Sequence, residues 1–243
     1  MPLLISLKAE TIFSVLGFPV TNTLIMAWLA VALLFLFFYR GTRNLRAIPA
    51  GLQSIVEVIY EEALAFMDLI TGTRERSERF LPFCFTLFLL VLASNWLGII
   101  PGAGSIGLRE AGGEFIPFAR SANSDLNMTL ALAIISIVGT HVLASRMIGF
   151  GKHAKTYFNT SGPIQFFVGL LELLGEFSKM LSFSFRLFGN IFAGEVLLMV
   201  IGGLLPFIAP IPFLGLEIFV GLVQALIFAS LTLVFLNMAA SEH

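Results

Sequence analysis

Five stretches of this chain stay apolar for about twenty residues or longer: Val20–Tyr39, Phe80–Ile100, Met128–Ile148, Ile164–Leu205 and Phe213–Ala239. A bilayer core about 30 Å thick asks for about 20 such residues per helix, so each stretch is long enough to cross. The fourth, at about 40 residues and 1.5 Å per residue, would reach roughly 60 Å. It must tilt steeply or break.

Between the first two runs the pattern changes period. In "GLQSIVEVIYEEALAFMDLITG", Leu52, Ile55, Val56, Ile59, Leu64, Met67 and Ile70 recur at helical spacing, and Glu57, Glu61 and Asp68 lie away from them. This predicts an amphipathic helix over 51–70 that lies at the membrane interface or packs as a surface helix on a neighbour. Gly and Pro punctuate the rest: "IPGAGSIGLREAGGEF" reads as an exterior loop and "LPFIAPIP" as a turn, so the last two runs form an antiparallel hairpin over 164–239. The expected fold is therefore an all-α integral membrane protein, one membrane domain over 1–243. Its spans are 20–39, 80–100 and 128–148, with the tilted hairpin at the end. No internal repeat is visible, which argues against the repeat-built secondary transporters.

Composition agrees with the pattern. Of 243 residues 58% are hydrophobic and 12% charged, with a mean hydropathy of +0.96, against about 25% charged residues in soluble domains. The formal net charge of −1 offers no general attraction for nucleic acid. A single cysteine, Cys84, excludes an intrachain disulfide. The N-terminal "MPLLISLKAETIFSVLGFPVTNTL" lacks a basic region ahead of a short apolar core and cleavage site, so the first run is expected to be retained. There is no G-x-x-x-x-G-K-[ST] phosphate loop, and no cofactor motif accompanies the Met and Phe residues.

Basic residues set the expected orientation. Arg40, Arg43, Arg46, Arg74, Arg76 and Arg79 follow the first run, and Arg146, Lys152 and Lys155 follow the third, nine in all; Lys8, Arg109 and Arg120 make three on the other side. That imbalance predicts the N-terminus outside and the C-terminal "NMAASEH" in the cytoplasm.

The remaining two basic residues, Lys179 and Arg186, lie inside the fourth run. On a wheel of about 100° per residue, Glu172, Glu176, Lys179, Arg186 and Asn190 fall within about 40° of one line, whereas Glu195 points about 140° from Glu172. A charged arginine at the centre of a bilayer costs about 2.5–3.5 kcal/mol on insertion scales. Snorkelling to an interface and a structural ion pair compete with a functional reading. Lys179 suits the first, but Arg186 is too far from either end of the run for it.

The last run carries counterparts. Glu217 and Gln224, seven apart, lie within about 20° of one face. In an antiparallel hairpin Arg186 with Gln224, and Glu195 with Glu217, reach matching depths, although the Pro-containing turn is off their midpoint by a few residues. Two carboxylates brought together in a low dielectric do not both ionise readily, so such a pair is able to take up and pass on protons. Glu172 lies about 21 Å from Arg186 along the helix. Acidic groups thus occur at two depths with a fixed cation between them.

"SFRLFGNIFAGEVLL" followed by "GLVQALIFASLTLVFLNMAASEH" resembles the C-terminal hairpin of the subunit a family of F-type ATP synthases, in its bacterial form. "TNTL", "SNWLGIIPG" and "SANSDLNMTLALA" extend the likeness over most of the chain. The resemblance implies a non-catalytic proton-channel stator without cofactor in the bacterial plasma membrane. Its partners would be the c-ring, the peripheral-stalk b subunits and lipid, with protons as the transported ion. Arg186 would face the ring carboxylate and block direct leakage, with Asn190 and Gln224 as polar neighbours. Glu195 and Glu217 would line the half-channel open to the outside, bordered by Asn95, Asp125 and Asn127. Glu172 would stand in the cytoplasmic half-channel, with Ser178 or Ser182 in its wall. Glu176 matches no fixed family position.

Plainer readings stand beside these. Asp125 is placed to cap the third span, and His141 reads as a hydrogen-bonded packing residue. A stand-alone ion transporter and a structural anchor with Arg186 paired internally are the rival functions.

Overall fold

The computed structural model describes residues 9–15, 17–100, 107–109, 115–117, 120–151, 157, 162–205 and 208–241. Lys8, Lys152, His153, Lys155 and His243 lie outside the described residues, as does most of the expected exterior loop. Among the described residues five helices are long and apolar enough to cross a membrane, and the chain is an all-α integral membrane protein.

A two-stranded hairpin, β1 (Thr11–Val15) and β2 (Phe18–Thr21), precedes α1 (Asn22–Thr42). Gly17 supplies the positive φ of its turn, +86°, and the Thr21 side chain accepts from the Leu24 N–H to start α1. Next come α2 (Leu52–Thr71) and α3 (Arg74–Gly98). In the expected loop, β3 (Gly107–Arg109) pairs with β4 (Phe115–Pro117), a short antiparallel pair that no alternation in the sequence announced. A 3₁₀ turn over Ala122–Ser124 then leads into α4 (Leu126–Ile148).

The hairpin completes the fold. Helix α5 runs unbroken over Pro163–Leu204, and α6 over Pro210–Ser241. At 42 residues α5 is about 63 Å long, twice a bilayer core. Of the two alternatives, the break does not occur.

Packing explains which faces turn inward. Leu87 and Val91 of α3, Leu132 and Ala133 of α4, Phe183, Leu187 and Ile191 of α5, and Ala225 and Phe228 of α6 form one buried cluster. Leu64 and Met67 of α2 join Phe80, Leu81 and Cys84 of α3 and Leu233 and Leu236 of α6 in a second. Helix α2 thus rests on its neighbours through one face, while Arg74 ties it to α3 by reaching Glu61 at 2.8 Å and Asp68 at 3.2 Å. Such exposed pairs add little stability. Elsewhere the outer surface is apolar: Phe166, Phe167, Leu170 and Phe177 of α5 are exposed, as suits a lipid-facing side.

Polar side chains fasten the helices where hydrocarbon gives no hydrophobic drive. Ser136 of α4 meets Thr232 of α6 at 2.7 Å, and Thr129 of α4 meets Ser184 of α5 at 3.0 Å. Asn95, fully buried, donates to the Gly221 carbonyl of α6 at 2.9 Å and accepts from Asn123 at 2.7 Å. Trp96 donates to the Ile218 carbonyl at 3.1 Å. Gly221 permits this approach, since a Cβ there would meet Asn95 Cβ at 3.2 Å.

Asn95→Leu removes both of these bonds and leaves the Asn123 amide short of a partner. The expected loss is about 1–3 kcal/mol, read as a lower melting temperature of the detergent-solubilised protein. An unchanged melting temperature would mean the contact carries no stability.

Candidate functional site

Helix α5 presents its polar residues on a side only partly covered. Ser178, Ser182 and Asn190 are exposed, and Glu172, Glu176, Lys179 and Arg186 are half-buried. Leu187, one residue from Arg186, points into the core and is 1% exposed. The arginine therefore stands at the edge between the bundle interior and the open face.

At mid-helix, Arg186 and Gln224 line one small cavity with Phe183, Leu187, Ile227 and Phe228. The Arg186 guanidinium lies 5.5 Å from the Phe183 ring centre, a contact worth about 0.5–2 kcal/mol. Among the described residues no acidic side chain pairs with Arg186. Its full charge is therefore not balanced by this chain's described carboxylates.

Eight to nine residues on, roughly 12–14 Å along the helix, Glu217 of α6 reaches α5 next to Glu195. Glu217 of α6 is buried, and its carboxylate rests against the backbone of α5 at Gly194: a Cβ added to Gly194 would overlap Glu217 Oε1. Only glycine leaves space for that side chain. Glu195, the next residue, accepts an ion pair from Arg120 Nε at 3.2 Å. Arg120 is itself 7% exposed and also donates to Ser124 Oγ at 3.1 Å.

On the other side of Arg186, about 15 Å away, Glu176 accepts from Lys179 Nζ at 2.7 Å and lies 3.4 Å from His141 Nε2. The Tyr157 hydroxyl reaches it at 3.4 Å, and the His141 and Tyr157 rings meet edge-on at 5.7 Å. Lys179 also lies 4.5 Å from the Phe235 ring centre, so it is held within the bundle rather than snorkelling outward. His141 is partnered, as the packing reading expected.

Two further expected channel residues, Asp125 and Asn95, are bonded to the helix framework. Asp125 caps α4 by accepting from the Asn127 N–H at 2.9 Å, and takes a bond from the Thr23 hydroxyl of α1 at 3.2 Å. The Asn127 side chain is exposed. Asn95 is spent on the α3–α6 contact described above. The structure thus joins Arg186 to Gln224, Glu195 to the neighbourhood of Glu217, and Glu176 to Lys179.

Arg120, Gly194 and the His141 contact escaped the sequence reading. Arg120 carried one signal, its position at the head of the small polar run "RSANSD", which charge counting alone does not use. Gly194 carried none beyond its place beside Glu195. Among the described residues no group of three His, Cys, Asp or Glu side chains is arranged to hold a metal ion.

Residues 24–237 match the family model described as ATP synthase A chain. Three curated relatives are similar along most of their length. The protein named ATP synthase subunit a 1 of Pelobacter propionicus is 33% identical over 218 residues, 88% of this chain and 86% of its own. ATP synthase subunit a of Gloeobacter violaceus is 35% identical over 224 residues, 91% and 85%. That of Campylobacter jejuni is 36% identical over 199 residues, 81% and 80%.

Proposed function

The chain belongs to the ATP synthase A chain family, and on that premise we propose that it is the proton-channel stator of a rotary ATP synthase. It acts as a non-catalytic subunit within that complex, beside a rotating ring of carboxylate-bearing c subunits and held by the b subunits of the peripheral stalk. The N-terminus lies outside the bacterial plasma membrane and the C-terminus in the cytoplasm, following the excess of basic residues after the first and third spans.

In this mechanism a proton enters from outside near Glu195 and Glu217 and neutralises a ring carboxylate. It then rides the ring almost a full turn and leaves on the side of Glu172. Arg186 stabilises the deprotonated ring carboxylate and opposes direct proton passage between the half-channels. Gln224 and Asn190 keep its surroundings polar. The observation that carries this reading is the placement of Arg186. It is half-buried at mid-helix on a partly open face and paired with no acid among the described residues. A carboxylate from another subunit supplies what is missing. Ser182 and Asn190, exposed on the same face, flank the docking line.

Cysteine cross-linking in native membranes tests this. With Cys84→Ala as background, Asn190→Cys or Ala193→Cys is paired with cysteines along the outer helix of the c subunit. Cross-links at mid-depth that stop ATP-driven rotation are expected. Their failure at every position, with the complex assembled, would put the Arg186 face elsewhere and favour a stand-alone transporter, which moves ions when purified alone into liposomes.

A further inference from the structure

Within the half-channel reading above, on which this inference rests, we propose that Arg120 is a positioning residue of the exterior half-channel. It is the fixed countercharge of Glu195, which leaves Glu217 as the carboxylate that carries the proton. Glu217 of α6 reaches α5 at Gly194, the residue before Glu195, and the surroundings of the two acids differ. The Arg120 Nε lies 3.2 Å from Glu195 Oε1 and 3.4 Å from Oε2. Glu217, seated on Gly194, has no cation among the described residues.

The backbone that bears Arg120 is held in place. Ser121 donates to the Ser94 carbonyl at 3.3 Å, and Asn123 donates to Asn95 at 2.7 Å. Ser124 accepts from Arg120 and donates to the Ser121 carbonyl at 2.9 Å. Gly98 admits Ser121 so closely that a Cβ there would collide with it. Arg120 thus reaches Glu195 from a buried, fastened turn rather than from a surface loop.

Charge accounting then divides the roles. A buried carboxylate needs a compensating charge or a proton. Arg120 compensates Glu195 permanently, so Glu195 has no need of the transported proton. Neutralising Glu217 falls to the proton in transit: it takes a proton from exterior water, passes it to the ring carboxylate and returns to the anion. Among the described residues of this end, Asp125 is occupied by the Thr23 hydroxyl and the Asn127 N–H. Asn95 of α3 and Asn123 of the 3₁₀ turn, bonded to each other, are amides and do not titrate.

The test uses the assembled complex in inverted membrane vesicles, with ATP-driven proton uptake normalised to the amount of assembled subunit. Arg120→Gln leaves the half-buried Glu195 without its cation and is expected to lower the initial rate by about tenfold or more. Arg120→Lys, which keeps the charge, is expected within about threefold of the parent. Arg120→Gln combined with Glu195→Gln removes both charges and recovers at least about a third of the parental rate, whereas Glu217→Gln stays about tenfold or more down in every background. A double variant no faster than Arg120→Gln, or one as slow as Glu217→Gln, overturns the assignment. Where Arg120→Gln fails to assemble, Arg120→Lys and the double variant decide, and loss of pumping in both overturns it. Arg186→Ala is run alongside: if it pumps, the half-channel reading itself fails, and if it is silent while the double variant is unrescued, only the role of Arg120 falls.

Discussion

Vesicles carrying the complex with Arg186→Ala hydrolyse ATP and accumulate no protons, a fall of about 100-fold or more, equivalent to about 2.7 kcal/mol or more of lost stabilisation. The expectation follows from what the arginine costs and what offsets it. Burying a charge at bilayer mid-depth costs about 2.5–3.5 kcal/mol on insertion scales. The ring contact at Phe183 returns only part of that, at 5.5 Å and half-exposed. Retaining such a group is a functional arrangement unless an internal carboxylate compensates it, and the described residues supply none. Removing the charge therefore relieves the chain and disables the partner contact. The subunit should still assemble at parental levels by immunoblot. Coupled pumping by Arg186→Ala would refute the leak-barrier role, and loss of assembly would point instead to an internal structural pair.

A second large effect is expected at Gly194. By helix propensity alone, replacing a glycine inside α5 stabilises the helix, by up to about 1 kcal/mol for alanine. Here the opposite should happen, because the added Cβ overlaps the Glu217 carboxylate. A close-packed interior relieves such overlap only by displacing the side chain or parting the helices, at about 1–3 kcal/mol. Gly194→Val should therefore lower ATP-driven proton uptake by about tenfold or more, since catalytic geometry tolerates displacements of only about 1 Å. Gly202→Ala is the control. It lies on the same helix, and a Cβ there meets nothing within 4 Å. Equal rates for Gly194→Val and the control would show that the position of Glu217 does not govern proton transfer.

The two predictions differ in how far the sequence foresaw them. Arg186 announced itself as a cation in an apolar run, because charge and hydropathy are local properties. The shared cavity of Arg186 and Gln224, and the approach of Glu217 to α5 beside Glu195, were legible from hairpin geometry to within a few residues. The contact at Gly194 was not, since the same glycine in a helix carries no mark of what packs on it. Asp125 illustrates the converse. Its capping role was readable from its place ahead of an apolar run, but its bond to Thr23 joins residues 102 apart in sequence.

What the sequence determined by itself is the membrane architecture and the one-dimensional order of charges along it. Apolar run length sets the number of spans, the 3.6-residue period sets the polar stripe of α5, and Gly and Pro set the hairpin. Only the tertiary structure decided which charges are compensated. Arg120 reaches Glu195 across 75 residues because Asn123 and Ser121 dock their turn on α3. His141 meets Glu176 because α4 packs along α5. A helical wheel gives each side chain a direction but not a neighbour. Whether a buried carboxylate faces a cation or only a glycine backbone depends on helix packing and loop docking, which bring together residues that no local pattern relates.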